Sequence, residues 1–224
     1  MITVHHLNNS RSQRVLWLLE ELGLDYEIVH YQRDPKTMLA PPELRKVHPL
    51  GKSPVLTDGD ITMAESGAII EYIVERYDGQ AMKPAAGTPE RLRYLHWMHF
   101  AEGSAMPPLL LALIFQRLPS MPMPFFARPL ARAISNGVKG RLVEPQLRAQ
   151  LAYMEGELAA SEWFAGAQFS AADVQMSFAL QAAQKRGGLN AQEHPHLHAF
   201  LARIEQRPAY QRALERGGPF DLLG

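Results

Sequence analysis

Residues 7–22 read LNNSRSQRVLWLLEEL, and this stretch decides the fold. An apolar run, Ile2 to Leu7, precedes it and has strand character. Asn8, Asn9 and Ser10 are turn and helix-cap residues. Val15, Leu18, Leu19 and Leu22 then recur at helical spacing, and Gly23 stands where a C-terminal cap belongs. Strand, tight turn and helix therefore follow within 22 residues. Outward from there, Tyr26 to Tyr31 reads as a second strand. Residues 32–50 hold four prolines and little periodicity, so they predict a loop with one short helix around Pro42 to Val47. Pro54-Val55-Leu56 is a third strand, Asp58-Gly59-Asp60 a hairpin turn, and Ile61-Thr62-Met63 a fourth strand. Glu65 to Tyr77 is a helix that buries Ile69, Ile70, Ile73 and Val74. The order predicts an α/β domain over residues 1–80, a mixed sheet with helices upon it.

Residues 81–89 read as a linker, rich in Gly, Ala and Pro. Residues 90–224 show no strand pattern and predict an all-helical domain. Helical periodicity covers Glu90–Ala105, Val143–Ala160, Ser170–Lys185 and His196–Gln206. Between the first two lies a Pro- and Met-rich stretch, Pro107 to Pro129, where prolines 119, 122, 124 and 129 break any long helix.

The 224 residues contain 23 basic and 23 acidic side chains, which argues against a broad nucleic-acid surface. Hydrophobic residues make up 46%, so the chain can bury a core. Cysteine is absent, which excludes disulfides, zinc-thiolate sites and any protein thiol nucleophile. The first ten residues lack a signal-peptide pattern, and the longest strongly apolar stretch, Leu109 to Phe115, is too short to span a bilayer. A cytoplasmic protein without membrane contact is expected.

Several motifs fail. Gly51-Lys52-Ser53 resembles the end of a phosphate loop, but Lys46 stands where that loop needs Gly. Ser66-Gly67 follows Ala64, so no nucleophile elbow exists. His194, His196 and His198 alternate as metal ligands can, yet Pro195 makes a helix-leading loop the simpler reading. His96 and His99 lie one turn apart with nothing to complete a ligand set.

Three constellations survive. Ser10-Arg11-Ser12 stands at a helix N-terminus, where unpaired N–H groups favour an anion or a thiolate; the plain alternative is a cap. Ser53-Pro54 reads as a cis turn presenting the Ser53 backbone to an extended peptide, or as an ordinary strand start. Glu65-Ser66 opens a helix, where a Glu and a Ser match the two charges of an α-amino acid head, or serve as caps.

In this order, ahead of an all-helical domain, the three resemble the glutathione transferase family, and residues 7–22 look most like its bacterial and fungal serine-type branch. Ser170-Ala-Ala-Asp173 resembles the capping box which that family sets before a buried helix. The resemblance implies a thioredoxin-like first domain, a mixed four-stranded sheet with three helices. It implies glutathione as co-substrate and no metal. Glu65 would take the γ-glutamyl ammonium and Ser66 its carboxylate. Ser53, set by a cis-Pro54, would pair its backbone with the cysteinyl unit, and Lys52 with His48 would face the glycyl carboxylate. Ser10, or Ser12 beside it, would donate its hydroxyl to the glutathione sulfur. A free thiol of pKa ~8.5 is about 3% thiolate at pH 7; lowering it to ~6.5 gives about 75%, for about 2.7 kcal/mol. One charge-assisted hydrogen bond and a helix terminus can supply that.

By the same resemblance, an apolar electrophile would bind against the helical half. Trp97, Phe100, Met106, Phe115, Phe125 and Phe126 are expected as walls, with Pro107 to Pro129 as an adaptable lid. Glu102 would reach across a two-fold homodimer to the partner's glutathione. The implied activity is conjugation in detoxification, with hydroperoxide reduction as a variant. Without cysteine, thiol-transferase chemistry through a protein thiol is not expected. The alternative is a non-catalytic binding or regulatory protein of the same fold.

Overall fold

The computed structural model describes residues 1–78 and 82–222. Residues 79–81, where the first domain was expected to meet the linker, lie outside the described residues, as do 223 and 224. The first half runs β1 (Ile2–Leu7), α1 (Ser12–Glu21), β2 (Tyr26–Tyr31), α2 (Leu44–Val47), β3 (Val55–Asp58), β4 (Ile61–Ala64) and α3 (Ser66–Ile73). The sheet order is β2-β1-β3-β4. β1 is parallel to β2, with Val4 opposite Ile28, and antiparallel to β3, with Val4 opposite Leu56. The β3–β4 hairpin closes with Asp58 opposite Ile61, and Gly59 supplies the turn's left-handed φ of 59°. This is the mixed sheet with three helices that the strand and helix order predicts.

Strand alternation puts Ile2, Val4 and His6 on one face of β1, and all three are buried. α1 is buried on every side from Ser12 to Leu19. A helix with that pattern has neighbours all around. The sheet lies on one side and the helical half on the other. Trp17 stacks edge-on against Tyr210, with ring centroids 5.2 Å apart. At the helix end Gly23 takes φ 63°, and the Leu24 N–H closes onto the Leu19 carbonyl at 3.0 Å.

The second half is helical, as expected, but its path differs. α4 (Pro89–Phe100), a π turn (Ala101–Ala105) and α5 (Met106–Arg117) form one run that continues to Ser120. By length and composition the run is apolar enough to cross a bilayer, yet Tyr94, Trp97, Ala101, Ala105 and Leu109 are buried in the bundle. Most of the expected lid is therefore helix. Pro107 and Pro108 follow the π turn directly, at the start of α5, and the run continues through them. The break comes at residues 121–124, and Pro129 opens α6 (Arg128–Val138). A π turn (Lys139–Val143) joins α6 to α7 (Glu144–Ala160). α8 (Ala171–Arg186), α9 (Pro195–Glu205) and α10 (Pro208–Gly217) complete the bundle. The Ser170–Asp173 box forms: the Ser170 N–H donates to Asp173 Oδ2 at 2.9 Å, and its hydroxyl donates to the same oxygen at 3.0 Å. Burial pushes the Asp173 carboxyl up to about 6 despite these donors. His194 precedes α9, which holds His196 and His198, and the first N–H groups of that helix, at His196 and Leu197, donate to Glu155 at 2.9 Å each.

Candidate functional site

A cavity of about 600 Å³ opens at the C-terminal end of β1. Its floor is Leu7 and the turn Gly51–Pro54 that leads into β3. The start of α3, Ala64 to Ser66, forms one wall, and the loop after β2 with Arg33 and Met38, and α2 with Arg45, form another. Glu102 and Leu110 come from the helical half. The Ser53–Pro54 peptide is cis. Glu65 has φ 71°, a left-handed backbone that a residue with a Cβ adopts at a cost of roughly 1–3 kcal/mol. Such backbones persist where the surroundings over-determine them, and here the surroundings are the cavity wall. Gly51 also has a positive φ, 57°, and a Cβ there would lie 2.5 Å from Arg45 Cγ. The bare glycine thus lets the Arg45 side chain cross the turn.

A chain of hydroxyls runs under this floor. Ser53 Oγ donates to the His5 carbonyl at 3.0 Å and accepts from the Leu7 N–H at 3.2 Å. Ser10 Oγ lies 3.4 Å from Ser53 Oγ and 2.7 Å from Ser12 Oγ. Ser12 Oγ lies 2.9 Å from His6 Nδ1. Burial, with His30 adding to it, pushes the His6 ring down to about 4 against a hydrogen bond to the Gly217 carbonyl. A neutral His6 whose N–H faces that carbonyl accepts at Nδ1 from Ser12. Ser12 has one proton, so in this state Ser10 donates to Ser12. The reverse pattern, in which Ser12 donates to Ser10 and Ser10 donates outward, needs a proton on His6 Nδ1.

Beside the hydroxyls stands an ionic cluster. Arg14 is fully buried; it donates to the Gln175 carbonyl at 2.7 Å and to Glu102 at 2.6 Å. Arg11 donates to both Glu102 oxygens at 3.0 and 3.1 Å. Both guanidinium groups lie over the Phe178 ring, at 4.9 and 5.3 Å from its centroid. Burial pulls Arg14 down to about 10, with Glu102 opposing. Burial likewise works against the Glu102 carboxylate, but Arg14 and Arg11 outweigh it and hold its pKa below the ordinary value. Glu102 is thus committed to two arginines. Arg33, Arg45 and Lys52 remain in the cavity wall as cations, and Glu65 as an anion.

The N-terminal domain model of the glutathione S-transferase family matches residues 1–75, and its C-terminal domain model matches residues 141–208. A Glutathione S-transferase 3 of Schizosaccharomyces pombe is 40% identical over 217 residues, covering 96% of this chain and 88% of that one. The chain belongs to the glutathione S-transferase family. It is a glutathione transferase by that membership, with glutathione as co-substrate. A solved glutathione S-transferase from Actinobacillus pleuropneumoniae is 36% identical with a TM-score of 0.80, covering 97% of this chain and 93% of that one. A glutathione transferase from Phanerochaete chrysosporium, solved with oxidised glutathione, is 26% identical with a TM-score of 0.74, covering 96% of each chain.

In this glutathione S-transferase, Lys52, Ser53, Pro54, Glu65 and Ser66 do converge on one cavity. Ser10 and Ser12 sit just behind it, both buried, Ser12 the more deeply. His48 lies at the end of α2, where its Nδ1 accepts from the Leu50 N–H at 3.4 Å, and is not among the cavity walls. Glu102 lines the cavity of its own chain, because Arg11 and Arg14 hold it there. The expected aromatic walls are elsewhere. Trp97 and Met106 are core residues, since the helical repeat turns them toward the bundle; Trp97 packs on Phe164 at 4.6 Å and stacks on Tyr153 at 5.3 Å. Phe100 packs beside His96 and Tyr153. Phe115 is half-buried outside the cavity, and Phe125 and Phe126 project from the far tip of the bundle. The apolar wall is instead Met38, Leu39, Leu50 and Leu110. Arg33, Met38 and Leu39 lie in the aperiodic loop, where no spacing marks them, and Arg45 lies on the four-residue α2.

Proposed function

We propose that this cavity binds glutathione, holds its thiol as the thiolate above Ser10, and presents it to an apolar electrophile. The observation that carries the reading is the charge pattern of the wall. Glutathione has two carboxylates and one ammonium, and the wall offers Arg33, Arg45 and Lys52 as cations and Glu65 as an anion. Glu65 takes the ammonium. Ser66, in the first turn of α3, takes the γ-glutamyl carboxylate with the free N–H groups there. Lys52 and Arg45 take the glycyl carboxylate across Gly51. The backbone of Ser53 pairs with the cysteinyl unit.

Of the two candidate hydroxyls, Ser10 is the donor to sulfur: its proton turns from Ser12 to the thiolate, the stronger acceptor, when glutathione binds. Ser12 is fully buried and spends its hydrogen bonds on His6 and Ser10. The thiolate attacks the electrophilic carbon, the new carbon–sulfur bond forms, and the leaving group departs with its electron pair. Met38, Leu39 and Leu110 give the electrophile an apolar bed. With no protein cysteine, any hydroperoxide reduced here draws both electrons from glutathione. We assign dimerisation to a separate face: Leu92, Leu95 and Tyr153 are exposed side chains on α4 and α7, suited to an isologous contact.

Calorimetry with glutathione, paired with thiolate absorbance, tests the site. Wild type binds and shows thiolate at pH 7. Ser10→Ala keeps binding and loses roughly 10–100-fold in conjugation rate, in line with one lost charge-assisted hydrogen bond. Full thiolate in Ser10→Ala would move the role to Ser12 or a backbone N–H. No glutathione binding by wild type would leave a non-catalytic protein of this fold.

A further inference from the structure

The chain is neutral overall, but its charge is unevenly placed. Between Glu102 and Glu144 lie Arg117, Arg128, Arg132, Lys139 and Arg141, and not one Asp or Glu. Removing those five from 23 basic residues leaves 18 against 23 acidic ones, so the rest of the chain is net acidic. Among the described residues no carboxylate pairs with any of the five.

The same segment carries the most exposed large apolar side chains outside the chain's first residue. Phe125 is 82% and Phe126 72% exposed, at the turn between α5 and α6, with ring centroids 5.7 Å apart. Leu130 and Ile134, 64% and 47% exposed, follow Phe126 at one-turn intervals along α6. α6 is fixed from its other side, where Ser135 is buried and donates to the Phe115 carbonyl. The outward faces of α6 are therefore an apolar row and a basic row, Arg128 and Arg132. A soluble surface seldom gathers exposed aromatics without a use for them.

This tip is remote from the apolar face assigned to the dimer. Leu92 and Ser120 belong to one helical run and are separated by about 42 Å at 1.5 Å per residue. The two Phe rings project into solvent from a single turn. A protein partner would need a socket shaped to them, whereas a bilayer interface accepts projecting rings without one.

We propose that the Met121–Leu142 tip docks the protein peripherally on an anionic phospholipid surface. Phe125 and Phe126 enter the interfacial layer, and Arg128, Arg132 and Arg141 meet the headgroups. The sequence alone led to the expectation of no membrane contact, because its longest strongly apolar stretch is too short to span a bilayer; docking on the surface needs no span.

Co-sedimentation of the full chain with vesicles tests this. Vesicles of phosphatidylcholine are compared with vesicles containing about 30% phosphatidylserine, a typical anionic load. Binding is expected to the anionic vesicles only, and to weaken as salt is raised. Phe125→Ser with Phe126→Ser, and separately Arg128→Glu with Arg132→Glu, should each lower binding about tenfold or more, at unchanged melting temperature. Equal binding to neutral vesicles, no binding by wild type, or variants that bind like wild type would overturn the proposal. So would a fall in sedimentation mass in both variants without any vesicle binding by wild type, which would make the tip an interface between copies.

Discussion

The two ends of α1 carry opposite charge and meet opposite partners. Its first turns hold Arg11 and Arg14, bound to Glu102. Its last turn holds Glu20 and Glu21, bound to Arg207, Arg212 and Arg216 of the C-terminal region. Both ends run against the helix dipole, which favours anions at the N-terminus and cations at the C-terminus. Neither arrangement stands without the helical half, which supplies every counter-charge. The ends differ in depth: Arg14 is fully buried, whereas Arg212 and Arg216 are exposed. The shallow end acts as a clasp between domains. The deep end adds positive charge to a helix terminus, beside the place assigned to a thiolate.

If depth is what separates the two ends, disruption should cost far more at the deep one. Glu102→Ala leaves Arg14 buried without its carboxylate and should lower unfolding free energy by about 3–5 kcal/mol in a urea titration. A loss below about 1 kcal/mol would erase the distinction. His6, beneath the same end, sharpens it through pH. Its folded pKa, about 4, lies below the ordinary 6.5, so the unfolded chain binds the extra proton. Stability is then lost as pH falls from 6.5 towards 4, by about 3 kcal/mol in total. Asp173, held up to about 6, works in the opposite sense, so the comparison is with His6→Gln, which should lack this loss. Parallel pH profiles of wild type and His6→Gln between 4 and 7 would refute it. At the shallow end, Glu21→Gln should cost only roughly 1–2 kcal/mol, because Arg207 keeps partial access to water.

Much of this was legible in the sequence, for local reasons. The four strands and α1 declare themselves because each pairs a short periodic run with a turn residue, as Asp58-Gly59-Asp60 and Gly23 do. Lys52, Ser53, Glu65 and Ser66 stand at junctions of such elements and could be placed at one sheet edge. α6 and α10 are amphipathic, but Pro129 and Pro208 at their starts read as breaks in the sequence. α6 turns Leu130 and Ile134 outward and a serine inward, the reverse of what its pattern suggests, and α10 packs through Ala209, Tyr210 and Ala213. Trp97 looked like a wall because aromatic residues suit pockets, and only the packed bundle tells a pocket from a core. Arg33 in the loop after β2 and Arg45 on the single turn of α2 have no periodicity to mark them and are positioned by tertiary contact.

The π turn at Ala101–Ala105 holds one residue more than an α-helical turn needs. In rotational terms that surplus is a phase offset of about 100° between α4 and α5. It explains why a single helical wheel drawn from Pro89 to Arg117 mixes core and cavity residues. It also means the run is two wheels keyed together, with Glu102 on the key. Deleting Gly103 should leave helical content by circular dichroism unchanged while swinging Leu110 out of the cavity wall and weakening glutathione conjugation. The insertion sets the phase of α5, and with it the place of Leu110 in the cavity wall.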